Sequence, residues 1–403
     1  MITIKPFQPC RPDARHIEEV ACVPYDVVNT EEARALAEGR PKSFLHVIRP
    51  EIDLPEGTDV HADAVYAKGA ENLKALIESE QLTYEPEPAL YVYRLVWQGR
   101  TQTGLFSCVS VNDYDEDRIL KHELTRPDKE DDRTRHLIEQ QAHAEPVMLT
   151  CEGSAAISRE MQRITEERGP LFHFEASDGV AHTLWKVADY EGLQQAFSEL
   201  KALYVADGHH RCKSASRLAE HQRMQQPDAT GEEAWNFFPA VIFPKEEMAI
   251  LPYNRVIHSV TPETFSRLKS ELNLQPSDSP SPAQKGQVCA YYDGVWYSFE
   301  LPEAKTDRVA DTLDAARLQD FVFEPYFGIR NPRTDTNISF IGGIRGTQEL
   351  ERLVDSGKAE LAFSVYATSI QELMEVSDAG ELMPPKSTWF EPKLRSGLLV
   401  HTF

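Results

Sequence analysis

Four times in this chain, two runs of β-branched and aromatic residues flank a short polar turn. This repetition constrains the fold more than any other feature. "ALYVYRLVW" and "TQTGLFSCVSV" stand either side of "QGR", and "HFEAS" and "VAHTLWKV" meet at Asp178-Gly179. "VCAYY" and "VWYSFEL" meet at Asp293-Gly294, and "FFPAVIF" precedes "PKEE" and "MAILPYNRVI". Runs of this type around such turns read as β-hairpins. A sheet built from hairpins has antiparallel neighbours, which favours α+β or a mixed sheet over a doubly wound parallel one.

Helical patterns fill the intervals. "NTEEARALAEG" has Thr30 as a cap, Glu31 and Glu32 in its first turn and Gly39 at its end. Apolar residues at Ala62, Val65, Tyr66, Leu73, Leu76 and Ile77 predict a helix with one buried face. Further helices are expected from Asp131, over "SAAISREMQRITEERG" and "YEGLQQAFSEL", from His210 to about Met224, and from Thr261-Pro262. "VPYDVV" and "SFLHVIRP" read as short strands, and "QPSDSPSPAQKGQ" as a linker. The fold class is therefore α+β, with mixed sheets, several hairpins and flanking helices.

A length of 403 residues exceeds what one small core needs, so two or three packed units are expected. The net charge of −23 disfavours binding to nucleic acid phosphates. Six scattered cysteines without a CxxC pair disfavour a zinc site or a disulfide framework. The first twenty residues lack the apolar core of a secretory signal, and no run of eighteen apolar residues occurs. These features predict a cytoplasmic protein with no membrane contact.

The densest chemistry follows a strand-like run in "LYVADGHHR". Gly208 permits a tight turn after Asp207. The residues beyond it open a helix, whose free N–H groups and dipole attract anions. Arg211 adds a fork of donors suited to phosphate, and His209 and His210 can donate hydrogen bonds or move protons. Asp207 repels phosphate, so its expected role is to hold magnesium or orient His209. Arg211→Ala is expected to abolish phosphate binding at little cost in stability.

Three other stretches carry candidates. In "KHELTRPDKEDDR", Glu123 can orient or deprotonate a hydroxyl, while Arg126, Lys129 and Arg133 supply charge. In "MPPKSTWFEPK", Lys386, Ser387 and Thr388 present one cation and two hydroxyls, and Lys393 is a second cation. No glycine-rich run precedes Lys386, so this is not a Walker A loop. In "VPYDVV", Tyr25 and Asp26 are candidates to face a substrate.

"VADGHHR" followed by a helix resembles the phosphate-binding loop of the ParB/sulfiredoxin-like superfamily, which includes free-serine kinases. "VPYDVV", "HELTRPDKEDDR", "ADGHHR", "LPYNRV", "FIGG" and "MPPKSTWFEPK" together resemble the DUF1015 family almost end to end. The superfamily resemblance implies a nucleotide-binding core at residues 191–274, between an N-terminal α/β region at 1–190 and a C-terminal α+β region at 288–403. It implies a kinase that moves a phosphoryl group from ATP, ADP or pyrophosphate to a small hydroxylated metabolite, free serine first, with magnesium. Gly208, His209, His210 and Arg211 would grip the donor, with Glu123 or Asp207 at the acceptor. The alternatives are a ParB-like nucleotide switch and a non-catalytic ligand-binding protein. A homo-oligomer is left open.

Overall fold

The computed structural model describes residues 2–403. The chain forms two compact units, and the first is discontinuous: it comprises the chain up to Met248 together with Pro392–Phe403. The second is Ala249–Glu391. Both combine helices with sheets, so the protein is α+β.

The first unit is organised by a nine-stranded mixed sheet. Its strands run in the order Ile119–Leu120, Leu203–Asp207, Val147–Cys151, Phe237–Pro244, Arg100–Ser110, Leu90–Trp97, Ala181–Val187 and Phe172–Glu175. Ile4–Lys5 pairs additionally with Arg100–Ser110. The long hairpin pairs Trp97 with Arg100, and the Asp178-Gly179 turn joins its two strands as expected. One face of this sheet carries Leu105, Leu149, Val205, Phe238 and Ile242 in the main core. The C-terminal segment returns to this unit, where His401 pairs with His143 and Val400 with Cys10.

The second unit has a six-stranded sheet in which every pairing is antiparallel. Tyr253–Ile257 lies between Leu361–Val365 and Ile338–Gly342. The Asp293-Gly294 hairpin forms as read, with Tyr292 opposite Val295. Its core packs Ile257, Leu268, Val288, Phe323 and Phe363 on one face and Val256, Tyr291 and Leu350 on the other.

Several expectations differ from the structure. "FFPAVIF" and "MAILPYNRVI" do not make a hairpin: Phe237–Pro244 pairs with Arg100–Ser110 and Val147–Cys151, and the chain leaves the first unit after Met248. The sequence there marks a crossing, and only long-range pairing distinguishes that from a turn. "VPYDVV" is not a strand but a single 3-10 turn, Tyr25–Val27, and "SFLHVIRP" contains a short helix, Leu45–Ile48. Their apolar residues bury into a separate small cluster with Phe44 and Leu73, which either conformation would satisfy. Residues on both sides of 190/191 share the nine-stranded sheet. "QPSDSPSPAQKGQ" divides nothing: it is a loop within the second unit, bent by Ser277 and Ser279 turns.

Helix boundaries follow their caps. Asn29, not Thr30, caps Thr30–Ala37, in a reciprocal capping box with Glu32. The charged helix begins earlier than Asp131, at Pro127, where proline's missing N–H costs nothing.

Candidate functional site

The corner read from sequence exists in the first unit. Leu203–Asp207 runs between Ile119–Leu120 and Val147–Cys151, buried up to Ala206, and its register shifts just before Asp207. Gly208 then turns the chain at φ 103°, a left-handed value, and His209–Gln225 follows as a helix. Space there is also tight. A Cβ on Gly208 would stand 3.0 Å from Arg211 Nε and 3.1 Å from its Cζ, because the guanidinium lies directly over it.

Arg211 is 10% exposed and framed by oxygen atoms. Its Nη1 donates to the Pro146 carbonyl. Its Nη2 stands 3.7 Å from Asp207 Oδ2 and 3.9 Å from Asp26 Oδ2. Those separations are ion pairs, too long for hydrogen bonds. Its Nε has no partner. Burial opposes the charge, but Asp26, Asp207 and Glu145 outweigh it and raise the pKa further. Asp207 also accepts from Lys393 Nζ at 3.1 Å. Burial works against its ionisation too, but Lys393 and Arg211 prevail and hold its pKa well below the ordinary carboxylate value.

Each of the two histidines is held by a backbone N–H. His209 Nε2 accepts from the His122 backbone N–H at 3.4 Å, and the two rings meet edge-on at 4.4 Å. Burial lowers the His209 pKa to about 3, so the ring is neutral near pH 7. His210 Nε2 accepts from the Arg126 N–H at 3.2 Å, and burial lowers its pKa as well. With Nε2 accepting in both rings, each neutral ring carries its proton on Nδ1.

Of the charged block, Arg133 and Arg126 are fixed by neighbours. Arg133 is largely buried, pairs with Asp132 at 2.7 Å and stacks over the Tyr25 ring at 4.1 Å. Arg126 points outward onto Asp128 at 2.8 Å. Lys129 sits in the first turn of Pro127–Gln140. Glu123 is half-buried in the preceding loop, one residue after His122. Tyr25 and Asp26 do reach the corner, Tyr25 through Arg133 and Asp26 through Arg211. Lys386, Ser387 and Thr388 do not join this set within one unit; they belong to the second. There Ser387 is buried and its hydroxyl donates to the Pro384 carbonyl at 2.7 Å.

Glu145 was not legible from sequence. It accepts from the Tyr25 N–H and from Ser396 Oγ, each at 3.0 Å, and burial raises its pKa despite nearby Arg211. An acid preceding Pro146 at the start of a strand was the one available signal. With Arg133, His136, His143, Gln140 and Arg211, Glu145 lines a hollow of about 40 Å³. That volume takes about one water molecule and no nucleotide. On the corner's open side, Asp26 is 37% and Asp207 27% exposed. No group of three or more His, Cys, Asp or Glu among the described residues is arranged to hold a metal ion. Nor is any described helix long and apolar enough to cross a membrane.

An α+β protein with a charged strand-to-helix corner is thus defined. The chain belongs to the family described as "Protein of unknown function (DUF1015)", whose profile matches residues 4–316. No curated protein matches it. Among solved structures it is similar to SbnI with C-terminal truncation from Staphylococcus aureus, at 13% identity and a TM-score of 0.37, covering 73% of this chain and 87% of that one. A free serine kinase in complex with AMP is similar at 12% identity and a TM-score of 0.37, covering 73% and 91%. A conserved hypothetical protein from Pyrococcus furiosus follows at 13% and 0.35, covering 73% and 95%. Likenesses this remote decide no residue's role.

Proposed function

We propose that the protein is a phosphotransferase that moves a phosphoryl group from a nucleotide or pyrophosphate to the hydroxyl of a small metabolite, with free serine the first acceptor to test. One observation carries the reading: Arg211 is packed over Gly208 at a helix start with Nε unpartnered and Nη2 engaged only at ion-pair distance. Unspent guanidinium donors beside the first N–H groups of a helix suit phosphate oxygens. Lys393 supplies a second cation on the same carboxylate.

In this reading the donor phosphates lie against Gly208, His210 and Arg211, with Lys393 beside them. Arg133 acts behind, holding Tyr25, and Arg126 and Lys129 add outer charge. Asp26 and Glu123 are the candidates to orient the acceptor hydroxyl. As the new oxygen–phosphorus bond forms, the bridging bond in the donor breaks and the hydroxyl proton passes to a carboxylate. Neutral His209 buttresses the turn through His122. Asp26 and Asp207 suit magnesium, which keeps waters and phosphate oxygens around few protein ligands; bound there it would offset charge on the transferring group.

The test is to incubate the full-length protein with serine, magnesium and each of ATP, ADP and pyrophosphate, and to assay for phosphoserine. Product is expected with at least one donor and is expected to fall at least a hundredfold in Asp26→Asn. Absence of product across those donors and a panel of hydroxylated acceptors defeats the proposal. Nucleotide binding without turnover would then favour a switch.

A further inference from the structure

The second unit buries a cation that the reading above does not use. Arg255 lies in the central strand Tyr253–Ile257 and is 3% exposed. Its Nη1 donates to the Tyr253 carbonyl and its Nη2 to the Lys386 carbonyl at 3.1 Å. Its Nε has no partner. The guanidinium carbon stands 5.5 Å from the centre of the Phe340 ring. No acidic side chain among the described residues pairs with it, and burial lowers its pKa to about 10. A guanidinium without a carboxylate is an uncompensated buried charge, which costs stability unless something offsets it.

The surroundings supply the place for a counter-charge. Arg255 lines a cavity of about 280 Å³ together with Gln319, Arg330, Asn331, Arg333 and Phe340. No carboxylate among the described residues lines it. Arg330 and Arg333 are exposed, and Arg330 Nε makes a long ion pair with Glu324 at 3.9 Å. The buried Gln319 Oε1 is unpartnered. Pro384 and Pro385 form one wall, so the "MPPK" turn covers the cavity while its Lys386 carbonyl fixes the guanidinium. In a chain of net charge −23, three arginines around an acid-free cavity select an anion.

We propose that this cavity binds the phosphate group of a small metabolite, with Arg255 as the buried anchor and Arg330 and Arg333 completing the charge. A guanidinium with free donors matches phosphate geometry. The volume falls just below the roughly 300–1,000 Å³ of drug-sized pockets, which suits a phosphate carrying a short organic tail. Free inorganic phosphate shares the chemistry. The site is independent of the Asp207–Arg211 corner and stands or falls separately from the transferase reading.

The experiment titrates the full-length protein with inorganic phosphate and with O-phosphoserine, by calorimetry and by thermal shift. Arg211→Met removes the first corner from the measurement. In that background both probes are expected to bind and to raise the melting temperature. R330Q/R333Q should weaken binding at least tenfold while leaving the ligand-free melting temperature unchanged. Arg255→Met should abolish the ligand-induced rise. A tenfold preference for phosphoserine assigns the site to phosphate esters, and the reverse assigns it to inorganic phosphate. If Arg211→Met does not fold, the stoichiometry of phosphate on otherwise wild-type protein should fall by one site in R330Q/R333Q. No binding in the Arg211→Met protein, or binding untouched by R330Q/R333Q, overturns the proposal.

Discussion

The two units each bury an arginine at a functionally suggestive point, and they treat it in opposite ways. Arg211, in the first, faces Asp26 and Asp207, with Glu145 close enough to act on its charge. Arg255, in the second, faces two carbonyls and an aromatic ring and no acid among the described residues. The contrast extends to histidine. His122, His136, His143, His182, His209 and His401 are buried, and all belong to the first unit. The second contains one of the thirteen histidines, His258, and it is exposed. The first unit has balanced its charges internally and stored its cost in neutral imidazoles. The second has left one charge for something else to balance.

The largest expected effect comes from acid. Burial lowers the pKa of His209 to about 3 and of His401 to about 4, and pushes His122, His136, His143 and His182 well below 6.5. The unfolded chain therefore takes up protons first as pH falls. Stability from these groups is complete above about 6.5 and declines as pH drops toward their folded pKa values. His209 alone accounts for on the order of 3 kcal/mol by pH 4, taking an unfolded imidazole at about 6.5. Hydrogen exchange at stepped pH should show the nine-stranded sheet losing protection between pH 6.5 and 4.5, while the six-stranded sheet keeps it. Equal loss in both sheets would break the comparison.

Next in size is the pair of arginine replacements. Arg211 was expected from sequence to be cheap to remove, but its burial and its partners argue otherwise. Arg211→Met leaves Asp207 with Lys393 alone and Asp26 without its cation. Both carboxylates are partly exposed, so a loss of about 1–3 kcal/mol is expected rather than the full cost of breaking a buried pair. Arg255→Met removes a desolvated charge that lacks an acid, and the ligand-free protein should be unchanged or more stable. Urea unfolding of both variants, without phosphate in the buffer, measures the difference. A larger loss for Arg255→Met would mean that its two carbonyl contacts outweigh the buried charge.

What the sequence disclosed follows the range of the interactions concerned. The hairpins at Gly99, Asp178-Gly179 and Asp293-Gly294 were legible because strand alternation and turn chemistry are local. The false hairpin around Pro244–Glu247 was locally identical and differs only in where its two arms find partners. The Asp207–Arg211 corner was legible because strand, glycine and helix start adjoin in sequence. Glu145 and Ser396 were not, because only the fold brings residues so distant to Tyr25. Lys393 was visible as a cation but grouped with Lys386, whereas the chain passes between units two residues before it. Arg255 looked like an ordinary strand residue in "LPYNRV"; that it lacks an acid is a property of the surrounding sheet.

The smallest effects calibrate the others. Each unit contains a reciprocal capping box of the same design: Asn29 with Glu32 in the first, Ser369 with Glu372 in the second. Replacing Asn29 or Ser369 by alanine should cost about 1 kcal/mol in each case, since each releases one helix N–H. The acids should differ. Glu32 is exposed and serves its cap, but Glu372 is 16% exposed and also meets Lys285 Nζ at 2.5 Å. Glu372→Ala is therefore expected to cost more than Glu32→Ala, by roughly 1 kcal/mol for a partly buried pair. Urea titrations followed by hydrogen exchange read each helix in its own unit. Equal costs for the two acids would show that a partly buried pair in the second unit is worth no more than a solvated one, and would weaken the case that charge there is poorly compensated.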